Sequence, residues 1–247
     1  MKKIFLYILA GSLCFAACKK DDEVETFVEP EDINVRNSYD EQAIQKFMDN
    51  NYLDSQGNIK AFSSTDTADD NEKKLSQLSP QTLPSGVIYI KRAGAQPEDS
   101  TPPSTGVAIG DSTQIKTMMR ANYYLATETD GNISLGNPGT LLNNIDGSGS
   151  PVTDPMFYFV KKSVRVAAGQ NSSYYEIEGL KEGLKYFTGF ENLPDANTYN
   201  LQGVIIVPSK AAFGRDAHYN YTGYSLQNNC FVFSFQIYKA NLRPTGQ

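Results

Sequence analysis

The sequence predicts an α+β domain in which a curved antiparallel sheet wraps around one short helix. Three observations carry this reading. Runs of β-branched and aromatic residues recur along the chain, above all at 86–91, 203–207 and 230–238. One stretch, 177–187, spaces its apolar residues as a helix does, with Ile177, Leu180, Leu184 and Phe187 on one face. Gly-, Pro- and Asn-rich segments separate these runs. Many strands around a single helix fit a sheet folded over it. The 247 residues suffice for one sizeable domain with extensions, and the 40% hydrophobic and 11% aromatic content supplies a core.

The N-terminus carries the clearest local signal. Lys2 and Lys3 precede an apolar run, 4–17, too short to span a bilayer as a stable helix. Small Ala16 and Ala17 stand before Cys18, as a signal peptidase requires. Residues 1–17 therefore read as a lipoprotein signal peptide, cut so that Cys18 takes acyl chains through its thiol and new amine. Phe15 departs from the usual leucine three residues before that cysteine. Each buried methylene adds about 0.8 kcal/mol, so several chains hold a protein firmly to a membrane. Lys19-Lys20-Asp21-Asp22-Glu23 is similar to the short tag behind the lipidated cysteine in surface lipoproteins of Bacteroidetes-like bacteria. The expected location is the outer membrane, at the cell surface or on its periplasmic face. With Cys14 removed and Cys18 acylated, Cys230 alone remains, and between Asn229 and Phe231-Val232-Phe233 it reads as a core thiol.

Residues 18–37 are acidic and poor in apolar side chains, a flexible tether. Ser38-Tyr39-Asp40-Glu41 has the pattern of a capping box, and Ile44, Phe47 and Met48 follow at helical spacing. The sequence thus predicts a helix over 39–50, followed by a linker rich in Ser, Thr, Asp and Pro; together 38–83 form an N-terminal extension. From residue 84 to 243 the main domain runs. Its first strand is Gly86-Val87-Ile88-Tyr89-Ile90-Lys91. A Pro-rich loop over 96–111 leads to a second strand, 113–126, with Ala121, Tyr123 and Leu125 turned inward. A long Gly- and Asn-rich loop is expected over 131–155. Short strands are expected at 156–160 and 164–168. The helix, a strand at 203–207 and a final strand at 230–238 complete the domain.

Several of these segments, in this order, resemble the FKBP family of peptidyl-prolyl isomerases. Ser85-Gly86-Val87-Ile88-Tyr89 is similar to the first strand of its bacterial lipoprotein members. Gly110-Asp111, Tyr123-Tyr124 and Asp130-Gly131 are similar to the second strand and its turns. Ile145-Asp146 resembles the Phe-Asp pair before the third strand. Ile177-Glu178-Gly179-Leu180-Lys181-Glu182-Gly183-Leu184 matches the helix signature. Val207-Pro208-Ser209-Lys210-Ala211-Ala212-Phe213-Gly214 and Phe231-Val232-Phe233-Ser234-Phe235 match the last two strands. The resemblance covers about 84–240, and its second half is the more specific.

It implies a prolyl isomerase acting on exported proteins, with proline-containing polypeptide segments as partners and no cofactor or metal. Rotating an X-Pro bond crosses a barrier of about 20 kcal/mol. A dry aromatic hollow favours the twisted, less polar amide over the planar one, so neither acid, base nor nucleophile is needed. The scarcity of titrating groups, with His218 the single histidine, agrees with such chemistry and weighs against Cys-His or Ser-His hydrolysis. By resemblance the catalytic residues are Tyr123 or Tyr124, Asp146, Phe213 and Phe233. Met156 or Phe157, Ile177, Leu180 and His218 bind substrate. Leu180 stands where the family carries Trp, and Phe213 where it carries Tyr, so a non-catalytic FKBP-like chaperone or adaptor is the alternative. A glycan-binding surface lipoprotein is a third reading, resting on Tyr219, Tyr221 and Tyr224. The net charge of −6 argues against nucleic acid, which calls for a basic face.

Overall fold

The computed structural model describes residues 27–146 and 149–246. The first element among the described residues is helix α1 (Ile33–Asp49), which leads into a hairpin of β1 (Asn51–Leu53) and β2 (Ile59–Ala61). Then follow β3 (Gln81–Thr82), β4 (Ile88–Lys91), β5 (Val107–Ala108), and the long hairpin β6 (Thr113–Thr129) and β7 (Asn132–Asn143). After β8 (Val152–Thr153) come two short helices, α2 (Lys162–Ala168) and α3 (Glu178–Leu184). The last strands are β9 (Thr188–Gly189), β10 (Gly203–Val207) and β11 (Asn229–Leu242).

Seven strands form one antiparallel sheet, ordered β3-β4-β10-β11-β6-β7, with β8 added beside β6. β5 and β9 pair separately. The β6–β11 ladder shifts register between Ile237 and Lys239, and β6–β7 shifts twice near Tyr123; such bulges bend a sheet and sharpen its twist. Side chains alternate between two faces, as strand geometry requires. Ile205 and Val207 of β10, with Phe231, Phe233, Phe235 and Ile237 of β11, join Ile177, Leu180 and Leu184 in one core. Val204, Ile206, Cys230 and Val232 join Ile44 and Met48 of α1 in a second. A smaller cluster of Met118, Ile145, Leu201 and Tyr238 completes the interior. The architecture is the sheet-on-one-helix arrangement that the resemblance implies, with α1 added on the opposite face.

α3 packs closely because two glycines face the sheet. A β-carbon at Gly179 would stand 2.5 Å from Val207, and one at Gly183 would stand 2.8 Å from Ile205, both too near for any side chain. The spacing of four in Glu178-Gly179-Leu180-Lys181-Glu182-Gly183-Leu184 puts both glycines on one face. A comparable contact sits in the β6–β7 hairpin, where a β-carbon at Gly139 would stand 2.1 Å from the Tyr123 ring.

Several expectations need correction. α1 starts at Ile33, inside the segment read as tether. Its N-cap is Asp32, which accepts the Asn34 amide at 2.8 Å. Ser38 is interior, bonded to Gln42. The early start follows from Arg36, which is buried and bonded to Asp40 one turn later, an i,i+4 pair that needs helix on both sides. Residues 132–143, read as loop, form β7; pairing with β6 overrides the poor strand propensity of Gly, Asn and Pro. The strand expected at 156–160 is a turn, in which the Pro155 carbonyl accepts the amides of Tyr158 and Phe159. The strand expected at 164–168 is helix α2, closed by Gly169 at φ 63°. The linker before residue 84 also contributes β3 to the sheet edge. The signal peptide, Cys18 and its tag lie outside the described residues.

Candidate functional site

The face of the sheet under α3 is lined with rings. Phe231 and Phe233 are neighbours on β11, 6.1 Å between centroids and nearly parallel. Phe233 lies opposite Ala121 of β6, whose small side chain leaves room for the ring. Phe157 reaches over from the turn after Pro155, 5.9 Å from Phe233. Phe213, just beyond the exit of β10, stands edge-on to Phe231 at 5.9 Å. Ile177 caps the start of α3, and its amide donates to the Phe157 carbonyl at 2.8 Å, tying the turn to the helix. Glu176 supports the same junction. Its buried carboxylate accepts the Val160 amide at 2.8 Å and Lys181 at 2.9 Å.

Five residues singled out in the sequence therefore meet: Phe157, Ile177, Leu180, Phe213 and Phe233 belong to one cluster. Tyr123 joins them from the rim, half-buried, on the same face as Ala121. Of the two adjacent tyrosines, Tyr123 is thus the one beside the rings. Tyr124 points to the other face, where its ring lies 5.7 Å from Phe47 of α1, and burial pushes its phenol above the usual range.

Asp146 does not reach the hollow. Its carboxylate is exposed and held by Asn143 at 2.7 Å and by Arg120 at 2.6 Å. Those bonds, the first from Asn143, keep it below the usual carboxylate range. Arg120 alternates with Ala121 and so projects from the opposite face, and Asp146 goes with it. The resemblance to a Phe-Asp pair marked a sequence position, but the β6–β7 hairpin carries that position away from the rings. Met156 is likewise outside, lining a separate cleft of about 400 Å³ with Phe159 and Val164.

His218 lies beside the cluster. Its ring stacks on Phe213 at 4.6 Å. Nε2 accepts the Leu226 amide at 2.8 Å, which leaves Nδ1 to donate to the Tyr219 carbonyl, also at 2.8 Å. Both ring nitrogens are thus used within its own loop, and the outer edge of the ring lines a shallow cleft with Tyr224.

The hollow is closed. Leu180, Ile177 and Phe233 are 0% exposed, Phe213 3% and Phe157 4%. Tyr221, which its sequence context groups with exposed aromatics, packs against the cluster from the loop before β11. Its ring lies 6.4 Å from Phe213 and 6.5 Å from Phe157, and its hydroxyl donates to the Tyr175 carbonyl at 2.6 Å. Burial pushes this phenol far above its ordinary value. The alternating aromatics Tyr219-Asn220-Tyr221 were the available signal, since residues two apart in an extended loop face the same way. Tyr224, by contrast, is 77% exposed.

Chemically, the cluster offers dispersion and ring quadrupoles in a water-poor setting. Among the described residues no group of three or more His, Cys, Asp or Glu side chains is placed to hold a metal. Cys230 sits on the opposite face, fully buried beside Asp40; burial raises its thiol well above the ordinary value, which suits packing rather than nucleophilic attack.

No family model matches the chain, and no curated protein matches it. Among solved structures it is similar to FkpA from Escherichia coli, at 18% identity and a TM-score of 0.34, over 67% of this chain and 53% of that one. It is also similar to a peptidyl-prolyl cis-trans isomerase from Pseudomonas syringae pv. tomato, at 11% identity and a TM-score of 0.38, over 87% and 99% of the two chains. The chain thus spans about half the length of FkpA. Overlaps this loose add no weight to the topology read from the chain itself.

Proposed function

We propose that this chain is an FKBP-like module that receives proline-containing segments of exported polypeptides, and that its closed form does not isomerise them. The observation behind this reading is the pairing of an assembled aromatic hollow, Phe157, Phe213 and Phe233 over Leu180, with an internal side chain, Tyr221, seated against it. Twisted-amide stabilisation requires the prolyl ring to sit where the protein already excludes water, and in this reading Tyr221 occupies that place. Leu180 and Phe213, in place of the family's Trp and Tyr, weaken any turnover further. The test is a proline-peptide isomerisation assay on the full chain, beside a binding titration with the same peptide. Binding without rate enhancement is expected. A rate enhancement by the unmodified chain would overturn the non-catalytic part of the reading.

A second reading, a working isomerase, draws on the same five residues meeting on one dry face. In that case Phe213→Tyr raises the rate, and Phe233→Ala abolishes it in a protein that stays folded.

The N-terminal sequence supports a further part of the proposal: that the module is held to the outer membrane through acylated Cys18, at the surface or on the periplasmic face. Labelling with radioactive palmitate tests this. Label on the wild type and none on Cys18→Ala is the expected pattern, and equal labelling of both rules it out.

A further inference from the structure

Tyr221 closes the hollow from a surface loop rather than from an element of the fold. The strap 215–228 leaves Gly214 and returns to β11, and Asn220, Gly223, Tyr224 and Ser225 around the tyrosine are all exposed. Most of the strap's hydrogen bonds are spent on itself or on its ends. Leu226 bonds to His218, Gln227 to the Arg215 carbonyl at 2.6 Å, and the Asn228 amide to the Gly214 carbonyl at 2.6 Å. Arg215 holds the carbonyls of Pro30 and Glu31, beside α1 rather than across the hollow. Among the described residues, two hydrogen bonds cross to the opposite wall at 172–175. The Tyr219 amide donates to the Tyr174 carbonyl at 2.7 Å, and the Tyr221 hydroxyl donates to the Tyr175 carbonyl. Ring contacts between Tyr175 and Tyr219, 5.4 Å apart, complete the clasp.

The geometry points to a ligand site whose occupant is the chain's own Tyr221, and to a ring-bearing polypeptide side chain as the class of ligand that replaces it. This rests on reading the hollow as a polypeptide site. Phe233 cannot leave its place without breaking the β10–β11–β6 ladder. Tyr221 can leave by local opening of a loop, which requires loss of the two crossing bonds and of the ring contacts that Tyr219 and Tyr221 make with the opposite wall. The vacated space has the stacked ring of Phe213 on one side, the ring of Phe157 at a steep angle on another, and the Tyr175 carbonyl at its far edge. A phenol satisfies all three. A proline ring satisfies the apolar walls and leaves the carbonyl to water. Because the competent form is only the fraction with the strap open, wild-type affinity is reduced by that fraction.

The test uses the full chain with Tyr221→Ala, probed by p-cresol and by a fluorescent proline-containing peptide. In a folded variant, judged by an unchanged circular dichroism spectrum, p-cresol is expected to bind saturably and raise Tm, as small aromatics do in engineered apolar cavities. The peptide is expected to bind about tenfold more tightly than to wild type. A folded Tyr221→Ala protein that takes up no p-cresol overturns the inference, as does wild type binding p-cresol equally well. Uptake of p-cresol with unchanged peptide affinity upholds the self-occupied site and overturns the proline-segment reading of it. Should the alanine variant not fold, Tyr221→Phe keeps the ring and drops one crossing bond. It is expected to raise p-cresol affinity about fivefold, and an unchanged affinity refutes the strap.

Discussion

The two faces of the sheet are closed by opposite means. Behind it, α1 adds a buried ion pair to the apolar packing of Ile44 and Met48: Arg36, fully buried, bonds Asp40 at 2.5 Å and the Ala126 carbonyl at 2.9 Å. Asp40 in turn accepts the Ser209 amide at 2.9 Å and the Ser209 hydroxyl at 2.5 Å. In front, rings pack on rings, and the final cover is one tyrosine on a loop. A buried ion pair cannot open without exposing an unpaired charge to a medium that solvates it poorly. An aromatic cover opens at the loss of contacts that water partly replaces. The rear face therefore reads as permanent structure, and the front as the place where a partner can enter.

That contrast can be broken most directly at Asp40. Replacing it with Ala leaves Arg36 buried without its principal partner, and urea unfolding is expected to show a loss of about 3–5 kcal/mol. The paired change Arg36→Met with Asp40→Leu should restore much of that loss. If the single variant is as stable as wild type, the ion pair does not hold the rear face.

On the front face, Phe233→Ala is expected to cost about 3–4 kcal/mol, because a fully buried ring is lost from the middle of a ladder. Tyr221→Ala should cost clearly less, about 1–2 kcal/mol, since its ring is only half-buried and its loop can relax. Equal losses at the two positions would make Tyr221 ordinary core and erase the difference between the faces.

A smaller effect concerns acid. At Asp54, in the β1–β2 turn, burial alone would raise the carboxyl, but bonds from Asn58 and Gln56 outweigh it and hold it below the usual carboxylate range. A carboxyl lowered on folding contributes stability that is fully present above its unfolded value. That contribution is lost as pH falls through the folded value. Stability followed from pH 5 downward should therefore fall more steeply below about pH 4, and Asp54→Asn should flatten that slope. An identical slope in the variant would show that the turn does not titrate with folding.

Smallest of all is Asp146→Asn. The carboxylate is exposed and its Arg120 pair lies at the surface, so stability should change by no more than about 0.5 kcal/mol, with peptide affinity unchanged. A tenfold loss of affinity would return Asp146 to the site from which the geometry removes it.

The helix signature was legible because each of its apolar and small residues serves one structural purpose. Leu180 and Leu184 fill the core, while Gly179 and Gly183 permit close approach to the sheet. The central strands were legible because β10 and the middle of β11 are almost wholly apolar and buried on both faces. Residues 132–143 were not, since Gly136, Pro138 and Gly139 argue against a strand until Tyr123 and Thr127 of the partner strand are in place beside them. Asp146 was misplaced because a family position was carried across a hairpin whose length the sequence does not reveal. Tyr221 was hidden for a different reason. Composition marks a tyrosine-rich loop as surface, and the alternation of Tyr219 and Tyr221 hints at an inward side without saying which ring is buried.

The hold of α1 on the sheet also has a mechanical meaning. Arg36 grips a carbonyl of β6 and Asp40 grips the exit of β10, so one helix spans two strands that are not neighbours. Tension arriving from the N-terminal side is shared between both, in shear across the ladder, rather than peeling a single edge. A helix that clasps two separated strands stiffens the sheet between them.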